Sequence, residues 1–323
     1  MSEPTLSVLL ANYNHGRFIG EALAAILSQS RPADEIVVAD DASTDDSVDI
    51  INGFRERHPQ IRLIRNEKNG GVVNNCNVLL RAATGRYLVF AAADDRVLPN
   101  FFSTALAAFE QYPAAGLVSG ISKVMSEDGT DLGEFHRLTW VRDVLWMPPG
   151  AAQLMLKRYG SWFMGNATVY RRESLLAVGP FREQLGAFCD GFAAMAIAMR
   201  DGVCYVPEPF GLWRRMESGF AATDTRDEDR YYEIGAKTVS LMQTDYADLF
   251  PADFADTWLR RWRTAWCMQC AAREQARIGG SEGFSSRVGL ALRKAACIAR
   301  FRPPVMFRLL EEVRRRMQAR RTR

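Results

Sequence analysis

No stretch of this 323-residue chain reaches the run of about 18 uncharged apolar residues that a membrane-crossing helix needs. The opening Met-Ser-Glu-Pro, acidic and followed by the brief run LSVLLA, lacks the shape of a secretory leader, so the expected location is the cytoplasm. Histidine is scarce: the three residues, 15, 58 and 136, have no metal-ligand spacing. The six cysteines (76, 189, 204, 267, 270, 297) are scattered, and a chain that buries a large core needs no disulfide framework. Cys267-Met-Gln-Cys270 has no second pair beside it and reads as packing within a helix. The dinucleotide signature G-x-G-x-x-G does not follow the first strand, and the P-loop pattern is absent, which excludes the two commonest glycine-built phosphate cradles. Neither an internal repeat nor a low-complexity tract interrupts the chain, and no nucleic-acid partner is expected.

What is present is the composition of a folded globular chain, 48% hydrophobic and 24% charged. The charge is uneven. Residues 281–323 hold twelve Arg/Lys against Glu282, Glu311 and Glu312, a net +9, so the overall +3 leaves about −6 for the rest. Apolar residues interleave with these charges, which makes the tail a candidate for an anionic membrane surface, with packing on the acidic body as the plainer alternative. The expected organisation is a catalytic domain over residues 1–224, with halves 1–97 and 98–224, followed by a helical basic region over 225–323.

The first hundred residues alternate. Strands are expected at 6–11, 35–40, 61–66 and 87–93, and helices at 16–30, after Ser43 or Thr44, and at 71–83. Further strands are expected at 116–125 and 163–172, and helices at 149–160, at 188–202 and from 225 onward. This order predicts an α/β fold with a doubly wound, mainly parallel sheet and a helical C-terminal extension. Such sheets bind ligands beyond the carboxyl ends of their strands. Asn12-Tyr13-Asn14, Asp40-Asp41 and Asp94-Asp95 all fall there. Adjacent carboxylates about 4 Å apart repel by roughly 4 kcal/mol at an effective dielectric of about 20, so the pair at 94–95 calls for a cation, donors or water. An acidic edge meeting a phosphate-bearing ligand needs a hard divalent ion, Mn2+ or Mg2+. Asp95 is its expected ligand. Asp190 is acidic at the start of an apolar helix, where the helix dipole by itself favours it.

The segment SVLLANYNHGRFIGEALAAILSQSRPADEIVVADDASTDDS resembles the start of the family-two glycosyltransferases, enzymes of the GT-A fold that use nucleotide sugars. NGGVVNNCNVLLRAATGRYLVFAAADD resembles the segment that ends in their D-x-D metal motif. VYRRESLLAVGPFREQL, CDGF and PEPFGLWRRMESGF resemble their later acceptor-side segments, so the likeness spans about residues 5–220. It implies an inverting transfer from a nucleoside-diphosphate sugar, UDP- or dTDP-linked, to an acceptor hydroxyl, in a setting of bacterial surface polysaccharide or glycolipid assembly. The acceptor itself is not named by the resemblance; a basic tail lying on a membrane would place the active site beside a lipid-linked one.

The resemblance also implies roles. Ala11, Tyr13, Asp41, Asn77, Asp94, Trp213 and Arg214 would contact the donor: Tyr13 stacks on the base, Asp41 accepts a uracil-type N–H, Asp94 lies near the ribose, and Trp213-Arg214 lie near the diphosphate. Asp95 would hold the metal and Asp190 would be the general base. Three positions depart from the family pattern. Ala92 stands for the first aspartate of D-x-D, Cys189 for the glutamate before the base, and Met216 about where a histidine often falls. The alternatives are a nucleotide-sugar-binding module without catalysis and a phosphatase of the haloacid-dehalogenase type. The second needs Asp-x-Asp, whereas Asp40 and Asp41 are adjacent and Ala42 follows.

Overall fold

A computed structural model of the protein describes residues 6–278, except 136–137 and 217–218, with side chains up to Cys270. It has two compact units, one ending at Asp224 and one starting at Thr225. The first opens with β1 (Leu6–Asn12), α1 (Gly16–Leu27), β2 (Glu35–Asp40), α2 (Ser47–Arg55), β3 (Ile61–Arg65), α3 (Val72–Ala82) and β4 (Tyr87–Ala92). It continues with β5 (Arg96–Val97), α4 (Phe101–Gln111), β6 (Leu117–Met125), β7 (Asp131–Phe135), β8 (Leu145–Met147) and α5 (Pro149–Tyr159). Then come β9 (Thr168–Arg171), α6 (Arg172–Val178), α7 (Cys189–Asp201) and β10 (Val203–Arg214). Helix α8 (Phe220–Arg226) runs across the boundary, and the second unit holds α9 (Glu228–Gln243) and α10 (Ala252–Ile278).

One sheet runs β3-β2-β1-β4-β9-β6-β10-β5, with β7 beside β6 and β8 beside β10. The four strands β3-β2-β1-β4 are parallel. Strand β9 is antiparallel to both β4 and β6, and β10 is parallel to β6. The parallel strands are near-continuous apolar runs because helices cover both faces. Helix α1 buries Phe18, Ile19, Ala22, Leu23 and Ile26, the face its spacing predicts.

Three departures from the sequence reading have local causes. Helix α2 starts only at Ser47. Ser43, expected as its cap, instead donates its hydroxyl to Asp40 Oδ2 at 2.6 Å and accepts from the N–H of Asn14. Residues 163–167 are not strand: a 3-10 turn, Gly165–Ala167, precedes a short β9. Strand β10, twelve residues long, was legible only as a motif. Pro207 and Pro209 argue against a central strand, and the structure absorbs them in an irregular register between Tyr205 and Gly211.

In the second unit α9 and α10 pack through aromatics. Tyr231 stacks on Trp262, with ring centres 4.2 Å apart, and each side chain donates to the other residue's carbonyl, at 3.1 and 3.0 Å. Cys270 is exposed and Cys267 is disulfide-bonded, which corrects the expectation of a buried, reduced pair. Among the described residues no helix is long and apolar enough to cross a membrane.

Candidate active site

The carboxyl ends of β1, β2 and β4 lie side by side, because Asn12 pairs with Asp40, and Ala11 pairs with both Ala39 and Ala92. Directly opposed residues in neighbouring strands share a face. Ala11, Ala39 and Ala92 therefore form a row of methyl groups across three strands, a floor without bulk, to which Ala92 contributes. Tyr13 follows β1 and is 40% exposed. Its loop is pinned to the loop after β2: Asn14 N–H donates to Ser43 Oγ at 2.9 Å, and Thr44 N–H to Asn14 Oδ1 at 2.8 Å. Asn14 and Ala42 both hold positive φ, 53° and 63°. That conformation costs a residue with a Cβ roughly 1–2 kcal/mol, so the two loops are held by their bonds rather than by preference.

Asp40 and Asp41 are both buried and serve different partners. Asp40 receives Asn12 Nδ2 at 2.7 Å and the Ser43 hydroxyl and N–H. Asp41 receives Asn66 Nδ2 at 2.7 Å and the N–H groups of Gly70 and Gly71 at 3.0 and 2.9 Å. A carboxylate offers about four acceptor positions, so at most one of Asp41's remains. Asn77, expected as a donor contact, has its amide turned to the protein. Its amide is closed on Phe181, accepting that residue's N–H and donating to its carbonyl, both at 2.9 Å. The pair clips α3 to the segment that leads to Asp190.

The acidic pair after β4 divides sharply. Asp95 is buried, and its Oδ1 accepts the Arg214 N–H at 2.8 Å. Burial, then the charge of Asp94, pushes the Asp95 carboxyl well above the usual range, with the Arg214 N–H working the other way. Asp94 is half-buried, and its carboxylate has no partner among the described residues. The carboxylate open to a ligand is therefore Asp94's, and Asp95 faces the protein.

Arg214 explains the difference. Only 3% exposed, it donates from Nε to the Asp94 carbonyl (2.7 Å), from Nη1 to the Glu127 carbonyl (2.8 Å) and from Nη2 to Glu21 Oε2 (2.6 Å). Its guanidinium also lies 4.6 Å from the Phe18 ring centre. Every nitrogen of the head is engaged, so Arg214 fastens α1, the β4–β5 turn and the β6–β7 turn together. Trp213 packs on Phe135, with ring centres 5.6 Å apart. The cation that the sequence reading passed over is Arg215. It is exposed just past β10, without a side-chain partner among the described residues, and its backbone N–H is bonded to the Met125 carbonyl.

Asp190 is the second residue of α7 and accepts the Gly191 N–H at 2.7 Å. A Cβ at Gly165 would lie 2.5 Å from its Oδ2, so the carboxylate rests against Gly165 and a side chain there would push it aside. The Gly165–Ala167 turn packs on β4, β5 and β10, which holds Asp190 beside the strand ends. Burial raises the Asp190 carboxyl above its ordinary value, against the N–H groups of Gly191 and Gly165. Burial, then Asp190's charge, pushes the Cys76 thiol up to about 12.

Among the described residues no three His, Cys, Asp or Glu side chains come together to hold a metal ion. One open carboxylate, Asp94, fits an ion that takes its other positions from phosphate oxygens and water, the usual way Mg2+ is bound beside phosphates.

An α/β sheet with small residues and carboxylates at the carboxyl ends of its parallel strands has the architecture of a doubly wound ligand-binding sheet. The sequence matches glycosyl transferase family 2 over residues 7–178, more than half of the chain, and the protein belongs to that family. The "Uncharacterized protein MT1568" of Mycobacterium tuberculosis is 32% identical over 230 residues, which covers 69% of this chain and 70% of that one. The crystal structure of S. aureus TarS 1-349 in complex with UDP-GlcNAc superposes with a TM-score of 0.62 at 18% identity, over 91% of this chain and 81% of that one. The mannosyltransferase PcManGT from Pyrobaculum calidifontis, in complex with GDP-Man and Mn2+, gives a TM-score of 0.58 at 22% identity, over 96% and 86%. The fold is GT-A.

Proposed function

We propose that the protein transfers a sugar from a nucleoside-diphosphate sugar to an acceptor hydroxyl with inversion, and that Asp190 is the base. The observation that carries this reading is the Asp190 carboxylate, raised above its ordinary value and held on the Gly165 turn beside the carboxyl ends of β4 and β10. The nucleotide-sugar complexes of TarS and PcManGT support the donor class. Asp190 takes the acceptor's proton, the freed oxygen forms a bond to the anomeric carbon, and the carbon–oxygen bond to the diphosphate breaks in line. Attack from the face opposite the leaving group inverts that carbon. Tyr13 stacks on the base over the alanine floor, and Asp41's remaining acceptor position takes a uracil or thymine N–H. Arg215, rather than the engaged Arg214, meets the departing diphosphate. A divalent ion on Asp94, when bound, neutralises charge on that diphosphate.

The test is a panel of nucleotide sugars. One UDP- or dTDP-sugar is expected to raise the melting temperature, at 100 times its Kd by about 2.7 kcal/mol of stabilisation. The same donor should slowly release nucleoside diphosphate. A donor that binds and is never turned over, with any acceptor tried, would make this a binding module.

A further inference from the structure

The opposite pole of the sheet carries a second concave site that the donor reading leaves unused. It is a groove of about 400 Å³ lined by Thr84, Gly85, Arg86, Arg171, Arg172, Glu173 and Leu176. Arg86 precedes the first residue of β4, whereas Asp94 follows its last. The six residues of β4, rising ~3.3 Å each, put about 20 Å between the two ends.

Three arginines line it and differ in occupation. Arg171 is structural: Nε donates to the Ala115 carbonyl at 3.0 Å and Nη2 to the Pro113 carbonyl at 2.6 Å, and its head lies over Tyr87 and Phe109. Arg86 touches the Tyr87 ring at 5.5 Å. Neither Arg86 nor Arg172 has an ion pair or a side-chain hydrogen bond among the described residues. Arg172 Nε is buried and without an acceptor, an unfavourable state that a bound anion would relieve. The neighbouring acid, Glu35, is already consumed by the Ser7 hydroxyl, the Thr84 N–H and hydroxyl, and Arg62. Glu173 is the carboxylate in the groove's lining, so three arginines against one glutamate leave +2.

We propose that this groove binds a phosphate monoester group, on Arg86 and Arg172. Planar guanidinium forks match phosphate oxygens in pairs. A phosphate monoester carries about −1.5 to −2 near neutral pH, which meets the +2 of the groove. The volume exceeds that of the ion itself, and Leu176, 45% exposed, gives an apolar wall for a short carbon skeleton. The site is independent of glycosyl transfer and stands whether or not that reading does.

Titration calorimetry of the full-length protein with inorganic phosphate, with and without saturating UDP, tests it. Wild type should bind one phosphate whether UDP is present or not. Arg86→Ala/Arg172→Ala should weaken binding at least about tenfold, equivalent to ~1.4 kcal/mol. Glu173→Gln, which raises the local charge to about +3, should tighten it, a gain that misfolding does not produce. The source of the phosphate is read by flotation with phosphatidic acid vesicles. Less flotation of the double variant than of wild type assigns the group to a lipid headgroup, and equal flotation assigns it to a soluble ligand; both keep the site. Displacement of phosphate by UDP, or the same phosphate affinity in wild type and the double variant, overturns the proposal.

Discussion

Three aspartates of one chemical type differ because their surroundings differ. Asp190 and Asp95 are pushed upward by burial, whereas Asp94 keeps an open carboxylate. A base with a raised value is protonated at low pH, so the acid limb of the transfer rate should sit above the ordinary carboxylate value of 3.8. Asp190→Asn should keep nucleotide-sugar binding and lower turnover about 10²–10⁴-fold, measured under saturating donor. Stability should move the other way. Because the folded-state value is raised, the native carboxyl holds its proton longer, and stability is lost as pH climbs from 3.8 through the folded value. Asp190→Asn should therefore melt higher than wild type at pH 7. Turnover within a few-fold of wild type would leave Asp190 as a buried helix-start charge and nothing more.

The acidic pair makes a second prediction at the same scale. UDP should bind more tightly with Mn2+ than with a chelator. Asp94→Ala should abolish that difference, while Asp95→Asn, whose Oδ1 still accepts from Arg214, should retain it. The reverse pattern in calorimetry would return the metal to Asp95.

At the scale of elements, one side chain ties several pieces together. Arg214 bonds the β4–β5 turn, the β6–β7 turn and α1, with Glu21 shared between Arg214 and Arg96. Removing one partner of a buried ion pair typically costs about 3–5 kcal/mol; Glu21 is 40% exposed, so its own contribution is smaller. Arg214→Met should cost about 3 kcal/mol in urea unfolding, because three acceptors lose their donor. If it unfolds like wild type and only the affinity for UDP falls, Arg214 is a ligand contact rather than a fastener.

The whole molecule is electrically lopsided, with +9 on residues 281–323 and about −6 on the remainder. The basic tail lies outside the described residues, and its proposed role rests on charge and interleaved apolar side chains. Each Arg or Lys near an anionic surface contributes about 1 kcal/mol and is screened by salt. Full-length protein should float with phosphatidylglycerol vesicles at low salt and less at high salt, and a chain ending at residue 278 should stay in solution. Equal behaviour of the two chains would remove the tail from membrane binding.

Apolar periodicity and turn chemistry determined the alternation of β1 to β4 with their helices, the buried face of α1 and the placing of Asp40-Asp41 and Asp94-Asp95 at one edge. These are local properties of the chain. What periodicity could not carry was β10, since its prolines contradict a strand until a bulge absorbs them. Nor could sequence decide which rim groups remain open. Asp41 and Asp95 were legible at the strand ends, and Asn77 and Arg214 through the family resemblance, yet each gives polar atoms to backbone groups, most of them far away in sequence: Gly70, Phe181, Arg214 itself and Glu127. Hydrogen-bond capacity is finite, and which partner fills it is set by residues 25 to 193 positions away, so only the tertiary structure left Asp94, Arg215 and Tyr13 free.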